Sequence, residues 1–156
     1  MTDLLVKNCL LSKNKDPQDI LIKEGVIKDI DSKITADNIP IIDADFHFVT
    51  PPFVDSHFHM DATLSYGLPR VNKSGTLLEG IKLWGELKPN LTADAIKERA
   101  LKFCKWAIAR GTLAIRSHVD VSGQNLVGVE ALLDVREEMK DFIDIQLVAF
   151  PQDGLL

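Results

Sequence analysis

The sequence predicts an α/β chain: a small β unit first, then strands and helices in parallel β/α order. Three observations lead there. Segments before residue 50 are short and strand-like, whereas strand and helix candidates alternate after Pro51. Three of the later strand candidates carry an apolar set on one face and turn polar on the other, as in a parallel β/α barrel with helices outside and a reactive mouth at the C-terminal strand ends. Finally, the chain has 156 residues, 46% of them hydrophobic and 26% charged, an ordinary composition for a chain that buries one core or one core plus an appendage.

In the first third, "DLLVKNCLL" has β-type content and "DILIKEGVIKDI" reads as two short strands with Gly25 supplying the turn. "IPIIDADFHFV" is a further extended candidate, and the whole region is expected to be an antiparallel β unit. After Pro51, "FVDSHFH" is a strand candidate, and "GTLLEGIKLWGELK" a helix stopped by Pro89. "TADAIKERALKFCKWAIARG" is the clearest helix. Thr92 suits the N-cap, Asp94 the first turn and Gly111 the stop, with Ile96, Ala100, Phe103, Cys104, Ala107 and Ile108 on one face. "TLAIRSHVD" reads as a strand. "NLVGVEALLDVREEMKDF" reads as a helix with Leu126, Val129, Leu132 and Leu133 inward, and "IDIQLVAF" as another strand. Short loops between these elements make a βαβ unit and hence a parallel sheet. "PQDGLL" follows at once, which leaves a parallel edge with nothing beside it.

The formal net charge is −5 with no basic stripe, which argues against a nucleic-acid partner. Cys9 and Cys104 lie far apart and form no CxxC pair, so a disulfide framework is not expected and a reducing cytoplasm fits best. The start of the chain is too quickly charged for a signal peptide, and no run approaches the roughly 20 apolar residues of a membrane span.

Face parity locates the chemistry. In "FVDSHFHMD" one face carries Phe53, Asp55, His57, His59 and Asp61, the other Val54, Ser56, Phe58 and Met60. Arg116, His118 and Asp120 share a face in the next strand, opposite Leu113, Ile115 and Val119. Gln146, Val148 and Phe150 lead on to Gln152 in the last, opposite Ile145, Leu147 and Ala149. His57 and His59 either ligate a transition metal together or ride a half-exposed strand. His118 either faces a substrate or is a satisfied strand-end histidine, and with Arg116 and Asp120 it could belong to a buried ion-pair network. Gln152 could present its amide to a substrate or cap a neighbouring backbone group. Asp55 and Asp61 could orient an imidazole or be solvated. His47 reads as structural or surface, Cys104 as core, and Trp84 and Trp106 as packing residues. No nucleophile elbow, Walker A loop or GxGxxG fingerprint is present.

"PFVDSHFHMD" resembles the first-strand motif of the amidohydrolase superfamily, in which an HxH pair opens a metal-bearing β/α barrel. With "SGTLLEGIKLWGELK", "RSHVDV" and "IDIQLVAFPQDG", the resemblance is to the cytosine deaminase branch, and "DILIKEGVIKDI" resembles the small β-sandwich that flanks such barrels. The family normally has Pro-Gly where this chain has Pro51-Pro52. The resemblance implies a β-sandwich portion over residues 1–50 and the first three β/α units of an incomplete (β/α)8 TIM-type barrel over residues 51–156, since a whole barrel takes about eight strands and ~250 residues.

By the same resemblance His57 and His59 are ligands of a divalent metal, iron or zinc. Gln152 binds the pyrimidine through its amide, the Leu77 backbone contacts the base, Phe150 helps wall the pocket and His118 lies beside it. No catalytic acid or base is assignable within this chain. The implied reaction is hydrolytic deamination of a nucleobase, cytosine to uracil plus ammonia. The alternatives are an amidohydrolase acting on another cyclic amidine or an N-alkylated triazine, or a truncated non-catalytic chain with a binding or assembly role. The expected partners are a small-molecule nucleobase or related heterocycle and, when complete, copies of the same chain in a homo-oligomer; neither nucleic acid nor membrane is expected. On this reading the 156-residue chain alone is inactive.

Overall fold

A computed structural model describes residues 3–123 and 125–154; the outermost residues of the two expected domains, 1–2 and 155–156, lie outside the described residues. The chain divides into two compact units, Met1–Pro51 and Pro52–Leu156.

The first unit is a four-stranded sheet of β1 (Leu4–Cys9), β2 (Gln18–Lys23), β3 (Val26–Asp31) and β4 (Ile41–Asp43), in the order β3-β2-β1-β4. Lys23 pairs with Val26 across a two-residue loop whose Glu24 and Gly25 have φ of 54° and 75°. Positive φ at both positions matches the right-handed twist of the flanking strands. Leu5, Cys9, Ile20 and Ile34 are buried. The buried Asp19 carboxylate accepts from the Asn8 amide at 3.1 Å and the Ile34 amide at 3.0 Å. The expected all-antiparallel arrangement needs one correction: β4 runs parallel to β1, Leu5 facing Ile41. β4 is also shorter than "IPIIDADFHFV" suggests, because Asp45 and Phe46 take φ of 47° and 58° and break the extended run. His47 is exposed, its Nδ1–H donating to the Ala44 carbonyl at 2.8 Å.

The second unit holds β5 (Phe53–Phe58), α1 (Leu77–Leu87), a 3-10 turn (Lys88–Asn90), α2 (Ala93–Ala109), β6 (Thr112–Asp120), α3 (Val127–Met139) and β7 (Asp144–Phe150). The sheet order is β5-β6-β7, and both pairings are parallel. α2 and α3 pack on each other and over β6, and α3 also covers β7. Between them lies a core that includes Met60, Ile96, Ala100, Cys104, Ile115, Val119, Leu132 and Val135. Burial pushes the Cys104 thiol up to about 11, as expected of a sulfhydryl used for packing. Phe58 stacks on Phe103 with ring centroids 4.2 Å apart. The hydroxyl of Ser117, also fully buried, accepts from the Met60 amide at 2.9 Å.

The helix ends follow their capping residues. Thr76 accepts from the Glu79 amide and Thr92 from the Ala95 amide, each at 3.3 Å. Gly111, with φ of 84°, ends α2 in a conformation glycine adopts without strain. Pro89 does not simply stop α1, because the chain tightens there into the 3-10 turn.

Several expectations on packing are corrected. Leu126 and Leu133 are exposed, and the inward face of α3 is Ala131, Leu132, Val135 and Met139, with Val129 partly buried. Leu126 precedes the helix, and Leu133 lies one step of about 100° round from Leu132. Trp106 is half exposed, with Lys102 Nζ 5.2 Å from its ring centroid. Val54 and Leu113 lie open on the face expected to sit under helices, while Ile115 and Val119 farther along β6 are buried. Among those residues no helix is long and apolar enough to cross a membrane.

Candidate functional site at the strand ends

Parallel pairing puts the C-terminal ends of β5, β6 and β7 side by side, with Phe58 opposite Ser117 and Asp120 opposite Phe150. Alternation then sends His57, His118 and Phe150 to the same side. His57 stacks on His118, ring centroids 4.3 Å apart and planes 24° from parallel. His59, one residue past β5, meets His57 edge-on at 5.4 Å and lies 5.8 Å from His118. Phe150 meets His59 edge-on at 5.4 Å and His118 at 6.0 Å. Three imidazoles and one phenyl ring thus form a continuous cluster at the strand ends.

Beside it opens a cleft of about 360 Å³ whose lining includes His59, Asp61, Leu77, Trp84, Asp120 and Gln152. Leu77 and Trp84 come from the same face of α1, seven residues apart. α1 buries Leu83 and Leu87. Its ties are side chains: Trp84 Nε1–H donates to Asp120 Oδ2 at 2.7 Å, and Lys88, just past the helix, donates to the same oxygen at 2.9 Å. Gln152 sits in the turn after β7, closed by the Gly154 amide donating to the Pro151 carbonyl at 3.0 Å.

The structure therefore brings all six sequence-predicted residues to one end of the sheet: His57, His59, His118 and Phe150 in the ring cluster, Leu77 and Gln152 in the adjoining cleft, with His59 belonging to both. The other readings fare less evenly. Arg116 and Asp120 do not join His118 in an ion-pair network. Arg116 donates to Gln146 Oε1 at 2.7 Å on an exposed part of the sheet, while Asp120 pairs with Lys88. Neither flanking aspartate holds an imidazole: Asp55 accepts from the His57 amide at 3.2 Å, and Asp61 accepts from the amides of Ala62 at 3.0 Å and Asp120 at 2.9 Å. Asp61 lies beyond the strand in a turn, so alternation no longer sets its direction, and burial pushes its carboxyl up.

Trp84 was expected only to pack; its indole N–H and ring both belong to the cleft. The signal was the α1 face itself, since Leu77, Ile81, Trp84 and Lys88 follow helical spacing. Burial works against ionisation of Asp120, but hydrogen bonds from Ser122, Lys88 and Trp84 outweigh it and hold the carboxyl well below the usual range.

As a metal centre the ring cluster is a partial donor set. His57 and His59 offer two imidazoles at one mouth, and His118 Nδ1 is buried with no hydrogen-bond partner. Burial, followed by the charges of His57 and His59, pushes the His118 ring toward its neutral form. His118 lies against the face of His57, and among the described residues no three His, Cys, Asp or Glu side chains converge on one point. Imidazole chemistry fits a transition metal, with further ligands needed to complete its shell.

Comparison with known proteins gives this end of the sheet a context. The model of the amidohydrolase family matches residues 40–156. N-isopropylammelide isopropyl amidohydrolase from Pseudomonas sp. (strain ADP) is 36% identical over 162 residues, which is 97% of this chain and 39% of that protein. The crystal structure of 5-methylcytosine deaminase from Klebsiella pneumoniae, liganded with 5-fluorocytosine, superposes with a TM-score of 0.89 at 39% identity, covering 96% of this chain and 37% of that one. N-isopropylammelide isopropylaminohydrolase from Burkholderia multivorans ATCC 17616 gives a TM-score of 0.83 at 29% identity, over 100% of this chain and 39% of that one. The chain thus spans well under half the length of the relatives it matches.

Proposed function

The chain belongs to the amidohydrolase family, and on that footing we propose that it forms the N-terminal part of a metal-dependent hydrolase that deaminates a pyrimidine base, cytosine to uracil plus ammonia. The observation that carries this reading is the cleft in which Gln152 and the Leu77 segment stand beside His59. Its likeness at 39% identity to a 5-methylcytosine deaminase liganded with a pyrimidine supports it.

His57 and His59 would hold a divalent ion, iron or zinc, through imidazole nitrogens. When bound, such an ion supplies the Lewis acidity that makes water nucleophilic near neutral pH. The chain's own residues contribute orientation. Gln152 can donate from its amide nitrogen to a ring acceptor and accept at its oxygen from a ring N–H, which fixes a planar amidine in one rotation. The Leu77 backbone offers a further contact on the α1 side. Trp84 supplies a flat wall of the cleft, and Phe150 stands edge-on to His59 beside it. Overall, water adds at the amidine carbon, the C–N bond to the exocyclic nitrogen breaks, and ammonia leaves. The proton transfers are assigned to no residue of this chain.

A second reading, hydrolysis of an N-alkylated triazine, is favoured by the 36% identity to the isopropylammelide enzyme and by the apolar Leu68, Leu77 and Leu83 in the cleft lining. The two readings release different products. The intact protein that carries these residues, loaded with iron or zinc, is to be incubated with cytosine, 5-methylcytosine and N-isopropylammelide. Ammonia from the pyrimidines supports the first reading and isopropylamine the second. Release of neither, with metal bound, overturns both.

A further inference from the structure

The turn carrying Gln152 makes no helix and no sheet ladder, yet its next residue is held from two sides. The Asp153 amide donates to Ser122 Oγ at 3.0 Å, and the Asp153 carboxylate accepts from Lys88 Nζ at 2.6 Å. Both holders lead back to one carboxylate. Lys88 Nζ also donates to Asp120 Oδ2 at 2.9 Å, and the Ser122 hydroxyl and amide donate to Asp120 Oδ1, the amide at 2.9 Å. Trp84 closes the arrangement from α1. Asp120 has a side chain only 6% exposed, whereas that of Asp153 is 49% exposed. The fixed point is therefore the strand-end carboxylate, and the turn is what it fixes.

We propose that Asp120 and Lys88 are positioning residues for Gln152: they clamp its turn to the end of β6 and to α1, and so set where the amide stands across the cleft from Leu77. This rests on the reading of Gln152 as the group that orients substrate. A clamp of this kind links two walls of the cleft, since Trp84 of α1 and Lys88 just past it both donate to the strand-end Asp120. Its charge-assisted hydrogen bonds are of the stronger class.

The test is a double-mutant cycle on the intact metal-loaded protein, with KM and kcat measured for wild type, Lys88→Met, Gln152→Ala and the double variant on the substrate that turns over. Losing one hydrogen bond between charged groups is worth about tenfold. Lys88→Met should therefore raise KM about tenfold with kcat little changed, and Lys88→Arg should recover most of it. In the Gln152→Ala background Lys88→Met should add almost nothing, because the group it positions is gone. Equal effects of Lys88→Met in both backgrounds, or none in either, overturn the proposal while leaving the function of Gln152 standing. An unchanged KM in Gln152→Ala alone overturns the reading of Gln152 and this proposal with it. Should Lys88→Met fail to fold, Ser122→Ala, which removes the acceptor of the Asp153 amide, must show the same non-additivity.

Discussion

Replacing Ser117 by alanine tests how the HxH end of β5 is anchored. Met60 directly follows His59, and its amide donates to Ser117 Oγ at 2.9 Å, with both residues at 0% exposure. Alanine removes the acceptor without opening a path for water, so the Met60 N–H is left buried and unsatisfied. Stranding such a donor costs about 1–3 kcal/mol. If the Met60 amide exchanges by local opening, that cost makes exchange ~5- to 150-fold faster, at 1.4 kcal/mol per tenfold. Hydrogen exchange of the intact protein, read at Met60 and at buried amides of α2 as a control, measures it. The structure also requires direction: Met60 should gain more than the control amides, because the lost bond is local to the strand end. An unchanged Met60 rate, or equal acceleration everywhere, would refute the anchoring role.

Two other perturbations follow from the same packing and charge arrangement. Leu132→Ala removes a fully buried side chain from the inward face of α3 and should cost about 2–5 kcal/mol in denaturant unfolding, whereas Leu133→Ala, on the exposed side, should cost far less; equal losses would contradict the observed face. Asp120 binds its proton at lower pH folded than unfolded, so the unfolded chain takes up protons first as acid is added. Its contribution is therefore full at neutral pH and is lost as pH falls below about 3.9 toward the folded value. The stability gap between wild type and Asp120→Asn should shrink over that acid range, and a gap that widens there would count against the charge pairing.

Much of this arrangement was legible in the residues. Alternation was enough to send His57, His118 and Phe150 to one side, because side-chain direction on a strand depends only on parity. Thr76, Thr92 and Gly111 marked helix ends through local capping chemistry. What parity could not reach lay past the strand ends. Asp61 follows the same odd numbering as His57 and His59, but it sits in a turn and points into hydrogen bonds with backbone amides. The pairing of Asp120 with Lys88 spans 32 positions, and its partner emerges from a 3-10 turn that no periodicity announces. Trp84 was misjudged for a related reason: an indole on an amphipathic helix looks the same in sequence whether its N–H finds a carboxylate or not. The parallel placement of β4 was missed because strand direction is set by the path of residues 32–40, which carry no strand pattern of their own.

The second unit's sheet has its strands in the order in which they occur along the chain, β5-β6-β7, each joined to the next through helix. During synthesis these three strands emerge one at a time, β6 joining β5 and β7 joining β6. β5 must wait for the 53 residues between Phe58 and Thr112 to emerge before it finds this neighbour, and until then the backbone edge that β6 will cover stays unpaired. The nascent chain is thus most exposed to aggregation after β5 has left the ribosome and before β6 has, a vulnerable interval measured in seconds at ~5–20 residues per second. Ribosome stalling within α2 should make the nascent chain a better chaperone client than stalling well past β6.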